Sequence, residues 1–238
     1  TGTEAVPLLL DFHQIGGTAQ QQFMDSQLDA IAERENVILV TPQAVGGVWT
    51  VTGFPISNDA DDFGFVSGLI DELTQSYNVD ADRIYATGMS QGAFLAFDLA
   101  CNFSDIFAAI APVSGAMSPP LQQQCAPQRP VPVLHTHGTA DDQIPYDVAH
   151  TAIDWWVGFN NTAERPEITP LPDPFPENGT TVESWVYENA GTGVNVEHFR
   201  INGGGHVWPG SEGDSDIEMA EEIWRFLSRY DLDGLIAD

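Results

Sequence analysis

The stretch GMSQG at residues 88–92 places one serine between two glycines at the spacing G-x-S-x-G. The β-branched run RIYAT precedes it, and the helix-like run QGAFLAFDLA follows it. A strand that turns into a helix at this spacing raises the serine Oγ above the sheet, and only glycine fits two residues before and after it. The pattern therefore predicts that Ser90 is a nucleophile. The alternative is a structural serine in a glycine-rich turn.

A serine nucleophile needs a base to take its proton and an acid to orient that base. In proteins with this serine turn, the acid and then a histidine follow the serine along the chain. Asp141 and Asp142 lie in HTHGTADDQIPY, directly after the apolar run VPVL. The order predicts that the acid is in this loop, against the alternative of two solvated loop aspartates.

The stretch GGGHVWPG holds the best candidate for the base, His206. It follows the last predicted strand, VEHFRI, and three glycines allow the backbone to turn sharply before it. The other histidines either precede the acid or lie within a predicted helix or strand: His13, His135, His137, His150 and His198. Chain order and loop position therefore predict His206 as the base, against the alternative of a solvent-exposed loop histidine.

An acyl-transfer site also needs donors for the negative oxygen of the intermediate. One expected donor is the backbone N–H of Gln91, the residue after the nucleophile. The other is expected from the turn HQIGG at 13–17, for which the alternative is a simple glycine turn. Trp49 and Trp208 are predicted to line the substrate pocket, with burial in the core as the equal alternative.

The rest of the chain alternates strand-like and helix-like segments. The predicted strands are VPLLLDFH (6–13), NVILVTPQ, RIYAT, FAAIAPVSG, VPVLHTHG, TVESWVYE and VEHFRING. Helical spacing is found over 18–35 (Met24, Leu28, Ile31), 64–77 (Val66, Leu69, Ile70, Leu73, Tyr77) and 215–229 (Ala220, Ile223, Trp224, Leu227). YDVAHTAIDWWVGF is ambiguous, and 168–179, with four prolines, is predicted as a surface loop. The alternation predicts a mostly parallel sheet with helices on both faces, whose ligands bind at the carboxyl ends of the strands.

Composition limits the partners. The 238 residues show no domain boundary, so 1–238 is predicted to be one catalytic domain. The 35 acidic and 7 basic residues give a net charge of −28, which excludes nucleic acid and anionic membranes. The acidic surface is explained either by solubility or by adaptation to salt. No apolar run reaches the roughly 20 residues that span a bilayer. We expect a monomer.

Cys101 and Cys125 are the only cysteines of the chain. They leave two alternatives open, two free thiols or one disulfide, and we hypothesise the disulfide. Neither has a second cysteine or a histidine at zinc-site spacing, so no metal is expected.

The segments DFHQIGG, TGMSQGAF, APVSG, HGTADDQIPY and GGGHVWPG occur in this order. Together they resemble the poly(3-hydroxybutyrate) depolymerase-like esterases, which are similar to feruloyl and acetylxylan esterases, over about residues 6–229. The resemblance implies an α/β-hydrolase fold, carboxylic ester hydrolysis, secretion and no cofactor. It places the acid immediately after GTA, at Asp141, and so implies a triad of Ser90, Asp141 and His206.

The same resemblance assigns the second oxyanion donor to the N–H of Ile15. The family usually has His-Gly where this chain has His13-Gln14, so Gln14 is predicted to narrow the acyl pocket or make it more polar. The family also usually carries more sequence before the first strand. The chain is therefore expected to be a piece of a longer one.

We therefore predict a secreted serine esterase that acts through an acyl-enzyme on short-chain, feruloyl-type or polyester substrates. A serine peptidase with the same triad is one alternative, but it needs a charged anchor for a peptide terminus, and the sequence shows no obvious one. A non-catalytic polymer-binding relative is the other alternative. Such a relative is expected to lack a triad member, and no candidate is missing here.

Overall fold

A computed structural model describes residues 4–211 and 216–237, and its centre is one eight-stranded sheet in the order β2-β1-β3-β4-β5-β8-β7-β6. The strands are β1 (Val6–Phe12), β2 (Ile38–Val40), β3 (Val79–Met89), β4 (Ala109–Val113), β5 (Val133–Gly138), β6 (Glu167–Pro170), β7 (Thr181–Tyr187) and β8 (Val196–Asn202). The first five and β8 pair in parallel, whereas β7 is antiparallel to both β8 and β6. A short hairpin of β9 (Tyr230–Asp231) and β10 (Gly234–Leu235) follows.

Helices cover both faces of this sheet, as the alternation of elements predicts. They are α1 (Ala19–Ser26), α2 (Leu28–Glu35), α3 (Asp62–Ser76), α4 (Gln91–Asn102), α5 (Pro119–Gln124), α6 (Tyr146–Phe159) and α7 (Met219–Leu227). The helices α3, α4 and α6 bury their apolar residues in one core, and α2 and α7 bury theirs in the core on the opposite face. No helix in the described ranges is both long and apolar enough to cross a membrane.

The helix predicted over 18–35 is two helices. Gln27 has φ 55, in the left-handed region, and it separates α1 from α2. The buried side chains of α1 are Gln22 and Ser26 rather than an apolar stripe, whereas α2 buries Leu28 and Ile31. Placing Met24 on the buried face was wrong, because its side chain is 53% exposed.

Other boundaries also differ from the sequence prediction. Tyr77 caps the end of α3 and is 60% exposed, so it does not belong to the buried face of that helix. The predicted loop 168–179 begins inside β6, an exposed edge strand that pairs with β7. The ambiguous stretch 146–159 is the helix α6. The last helix begins at Met219, and the predicted start at 215 lies outside the described residues.

A disulfide joins Cys101, near the end of α4, to Cys125, directly after α5. Of the two alternatives that the sequence left open, the structure therefore contains the disulfide, as we hypothesised. Because α4 begins directly after Ser90, the bond connects the far end of the helix that follows Ser90 to the segment that leads into β5.

Removing this disulfide should lower the free energy of unfolding by about 3 kcal/mol, because the unfolded chain regains the freedom of a closed loop. The double variant Cys101→Ala/Cys125→Ala tests this by urea unfolding with and without a reductant. The unmodified protein should lose stability when it is reduced, whereas the variant should not respond. Equal stability of the reduced, oxidised and variant proteins would contradict the prediction.

Candidate active site

The turn at Ser90 has the strained backbone that the GMSQG pattern predicts. Ser90 has φ 53 and ψ −116, which non-glycine residues rarely adopt. A Cβ on Gly88 would lie 2.5 Å from the carbonyl oxygen of Phe12, and one on Gly92 would lie 2.1 Å from the same atom. Both positions therefore require glycine, and the close approach brings the end of β1 against the serine turn.

The carboxylate of Asp141 is buried and fully engaged. Its Oδ1 accepts the backbone N–H groups of Gln143 and Ile144, each at 2.9 Å. Its Oδ2 lies 2.8 Å from Nδ1 of His206. Asp142, the other candidate for the acid, is exposed to solvent. The structure thus joins the predicted base to Asp141 rather than to its neighbour.

The glycines before His206 lock its loop against the acid loop. Gly203 has φ +77, and a Cβ on Gly204 would lie 2.6 Å from a methyl carbon of Ile201. The carbonyl of Gly204 accepts the N–H of Ala140, and the N–H of Gly203 donates to the hydroxyl of Thr139. The sharp bend that the three glycines suggested therefore fixes the imidazole beside the acid.

The end of β4 connects this loop to the serine turn. The N–H of Ser90 donates to the carbonyl of Val113, and the next residue, Ser114, donates its hydroxyl to the carbonyl of Val207. Because a carboxylate only accepts, Nδ1 of His206 carries the hydrogen it shares with Asp141. In the neutral ring Nε2 is then an acceptor, and this buried atom has no hydrogen-bond partner in the described parts of the chain.

The backbone N–H groups of the two predicted oxyanion donors make no hydrogen bond within the described ranges. Neither Ile15 nor Gln91 donates its N–H to an acceptor within residues 4–211 and 216–237. The turn around Ile15 is held by the N–H of Gly16, which donates to the carbonyl of Gly47 at 2.7 Å. Gln14 is not among the described residues with positive φ, so it occupies the usual glycine position without strain.

Three side chains support this turn through contacts that the sequence did not predict. Nε2 of His13 accepts the N–H of Ala44 at 3.1 Å, and its carbonyl accepts the indole N–H of Trp49 at 2.9 Å. The carboxamide of Gln91 accepts the N–H of Trp49 and donates to its carbonyl, at 2.9 and 3.0 Å. Gln91, the residue after Ser90, therefore holds the loop that contains Trp49 through its side chain.

The two tryptophans are buried, which is the second of the two alternatives for them. Trp49 is 0% exposed and packs edge-on to Phe12, and Trp208 is 3% exposed in the core on the α7 face. The prediction that either indole contacts substrate is therefore not supported in this conformation. Gln14 is half-buried, and its side-chain amide makes no hydrogen bond to the described residues.

The electrostatics favour an ionised Asp141 and neutral rings at two buried histidines of the sheet, His135 and His198. Burial opposes ionisation of Asp141, but hydrogen bonds from Ile144, His206 and Gln143 outweigh it and keep the pKa of the carboxyl below its ordinary value. Burial lowers the pKa of His198 to about 3 and that of His135 well below the ordinary value, so both rings are neutral. Within the described ranges, no group of three or more His, Cys, Asp or Glu side chains is arranged to hold a metal ion.

Near the end of β1, Asp11 is a fully buried carboxyl. Its Oδ1 accepts the side-chain N–H of Gln22 at 2.7 Å, and its Oδ2 has no partner among the described residues. Burial raises the pKa of Asp11 to about 7, although the nearby polar side chains of Ser26 and Gln22 oppose the rise. The folded protein therefore keeps a proton on this carboxyl at pH values where the unfolded chain has lost it.

This raised pKa should make stability fall as pH rises from about 4 to about 7, because the unfolded chain releases the proton that the fold retains. The difference from the ordinary value of 3.8 corresponds to roughly 4 kcal/mol in total. Asp11→Asn should remove this loss, so the variant should gain stability over the unmodified protein between pH 4 and pH 8. Urea unfolding at both pH values measures it, with the exposed Asp29→Asn as control. Equal pH slopes in all three proteins would contradict the prediction.

Comparison with known proteins agrees with this architecture. Residues 58–173 match the phospholipase/carboxylesterase family. Putative esterase NocK of Nocardia uniformis subsp. tsuyamanensis is 32% identical over 232 residues, which cover 87% of this chain and 67% of that protein. The chain belongs to the α/β-hydrolase family of poly(3-hydroxybutyrate) depolymerase-like, feruloyl esterase-like and acetylxylan esterase-like proteins. The resemblance drawn from the motifs is confirmed.

Relatives of this chain differ from it in length. Feruloyl esterase B of Piromyces equi is 31% identical over 244 residues, and the match covers 98% of this chain but 44% of that protein. The chain thus spans less than half of one curated relative and two thirds of the other. The acetyl xylan esterase from Aspergillus awamori superposes with a TM-score of 0.70 at 16% identity, over 94% of this chain and 89% of that one. The α/β-hydrolase fold is therefore confirmed.

Proposed function

We propose that this chain is a serine esterase that hydrolyses carboxylic esters through an acyl-enzyme. The observation that carries the proposal is the pair of Asp141 and His206, 2.8 Å apart, with Nε2 of the histidine buried and free. This pair lies at the carboxyl end of the sheet, where the strained turn holds Ser90. Acyl transfer needs an oriented base with one free nitrogen that can take the proton of a raised serine hydroxyl. In this conformation Nε2 of His206 makes no hydrogen bond to Ser90.

In the proposed reaction, Oγ of Ser90 attacks the ester carbonyl carbon while Nε2 of His206 takes the hydroxyl proton. The N–H groups of Ile15 and Gln91 stabilise the oxyanion of the tetrahedral intermediate. The C–O bond to the alcohol then breaks, and the imidazolium returns the proton to the leaving oxygen. Asp141 holds the imidazole tautomer and stabilises the positive charge throughout.

Deacylation uses the same groups in reverse roles. A water molecule gives its proton to Nε2 of His206 and attacks the acyl carbon. Collapse of the second intermediate breaks the bond to Oγ of Ser90, which regains the proton, and the carboxylic acid leaves. Apart from the ester and one water molecule, every step in this proposal uses only side chains and backbone groups of this chain.

The finer substrate class is proposed as a short-chain, feruloyl-type or polyester ester. Relatives named feruloyl esterase and acetylxylan esterase support this range. A panel of p-nitrophenyl esters, methyl ferulate, polyhydroxybutyrate and peptide p-nitroanilides tests the function and separates these classes. We expect hydrolysis of at least one ester and of no peptide. Cleavage of peptides alone would favour the peptidase alternative, and a folded protein inert towards the whole panel would favour the non-catalytic one.

Replacing Gln14 tests the assignment of the second oxyanion donor. If the backbone N–H of Ile15 is the donor, Gln14→Ala should leave kcat on a small acetyl ester within a few-fold, since backbone donors survive the change. The preference between acetyl and longer acyl groups should shift, because the half-buried side chain is lost from the pocket mouth. A loss of roughly 10²-fold on the acetyl ester would show instead that the Gln14 amide is the donor.

We further infer that the chain works outside the cell as a single monomeric domain. The disulfide supports this location, because such bonds persist in oxidising compartments and are rare in the cytosol. The acidic surface supports a monomer that stays soluble through its own charge.

A further inference from the structure

The imidazole of His137 contacts the Asp141 carboxylate, at the same oxygen that faces His206. It belongs to β5 and is fully buried. Its Nε2 lies 2.9 Å from the carbonyl oxygen of Ile144 and 3.1 Å from Oδ2 of Asp141. A carbonyl oxygen can only accept a hydrogen bond, so Nε2 of His137 must carry the hydrogen. The positive edge of the ring therefore faces the carboxylate.

These contacts join His137, Ile144 and Asp141 in a ring of hydrogen bonds around the loop that holds Asp141. The N–H of His137 holds the carbonyl of Ile144, and the N–H of Ile144 donates to Oδ1 of Asp141. The orientation of the carboxylate in turn sets where Oδ2 meets Nδ1 of His206, at 2.8 Å. A shift of Ile144 would therefore rotate the carboxylate away from the base.

We infer that His137 is a positioning residue for the triad: its Nε2–H fixes the acid loop and thereby directs Oδ2 of Asp141 at His206. The catalytic consequence rests on the proposed function, whereas the position of the hydrogen on His137 does not. The motif HTHGTADD offered no sequence signal for this role, because the contact to Ile144 appears only in the folded loop.

The surroundings of His137 favour the neutral ring that this role needs. Asp141 and His206 face it from the two loops, His135 stacks on it with centroids 5.5 Å apart, and Tyr146 of α6 lies 6.3 Å away. Burial lowers the pKa of His137. Its Nδ1 is buried and has no partner in the described parts of the chain, as expected for a neutral ring with its one hydrogen on Nε2.

Three variants test the inference. His137→Phe keeps a buried ring but removes the N–H, and His137→Gln restores an amide donor near the position of Nε2. His135→Phe is the matched control, because His135 is equally buried and bonds to the carbonyl of Gly115 and to His198 but does not contact the acid. For each variant we would measure kcat, KM and the pH dependence of kcat/KM on an ester that the unmodified protein hydrolyses.

His137→Phe should lower kcat by about 10-fold and leave KM unchanged, because losing one hydrogen bond costs an amount of free energy that corresponds to about that factor in rate. The acidic limb of its profile should move to lower pH, because a misdirected carboxylate stabilises the imidazolium less. His137→Gln should recover most of kcat, and His135→Phe should keep the limb in place even if it unfolds more easily. An unmoved or upward-moving limb in a folded His137→Phe, or an equal shift in the His135 control, would overturn the inference.

The unmodified protein provides a test that needs neither a folded variant nor activity. In ¹⁵N-histidine NMR spectra, the His137 ring should be the neutral tautomer with its hydrogen on Nε2 at pH 7. A hydrogen on Nδ1, or on both nitrogens, would overturn the inference. If the tautomer is as expected but no ester is hydrolysed, the proposed function fails while the contact to Ile144 stands.

Discussion

Ser90→Ala and His206→Ala should each reduce ester hydrolysis on the order of 10⁴-fold or more, because the members of the proposed triad act as a unit. Without Oγ no acyl-enzyme forms, and without Nε2 nothing takes the hydroxyl proton. The double variant should be little worse than either single one, since the second change removes a group that has already lost its role. Rates on the best ester of the panel, corrected for the uncatalysed reaction, measure this.

Folding must be separated from catalysis in these variants. Ser90→Ala leaves the fold intact only if alanine accepts φ 53 at the turn, so its circular dichroism and thermal unfolding should be compared with the unmodified protein. A fluorophosphonate probe should label the unmodified protein and not the Ser90→Ala variant. Full activity of a folded Ser90→Ala protein would show that another side chain is the nucleophile.

The features that sequence reasoning predicted are those set by close-range geometry. The glycines at 88 and 92 are required because any Cβ there meets the carbonyl of Phe12, and that requirement is visible in the spacing alone. The three glycines before His206 similarly signal a bend. Chain order then selected His206 from six histidines, and the family pattern selected Asp141, which the structure joins at 2.8 Å.

The features that sequence reasoning missed depend on contacts between distant segments. Helical spacing continues through Gln27, so nothing in the pattern marks the left-handed residue that divides α1 from α2. The side chain of Gln91 bonds to Trp49, 42 residues away, and the local pattern at either residue does not encode that pairing. The sequence predicts no role for His137, because it lies in a strand and precedes the acid. Its contact with the acid depends on how the loop folds back to place Ile144.

Asp141→Asn should have the next largest effect and lower kcat/KM by roughly 10³- to 10⁴-fold, which tests the choice between the two loop aspartates. Oδ1 of Asp141 accepts two backbone N–H groups, so the carbonyl oxygen of an asparagine must take that place. The amide NH₂ then faces Nδ1 of His206, which must become an acceptor. The imidazole hydrogen moves to Nε2, and the nitrogen that should take the proton from Ser90 is blocked.

The same substitution also brings two N–H donors together, the NH₂ group of the asparagine and Nε2–H of His137. The NH₂ group would lie about where Oδ2 now approaches Nε2–H of His137, at 3.1 Å. Asp142→Asn is the matched control, because it makes the same chemical change one residue away on an exposed side chain, and its activity should stay within about twofold of the unmodified protein. Both variants should unfold at similar urea concentrations if the loss is catalytic. If Asp142→Asn were the damaging change, the acid would be misassigned, and the hydrogen bond between Asp141 and His206 would be structural rather than catalytic.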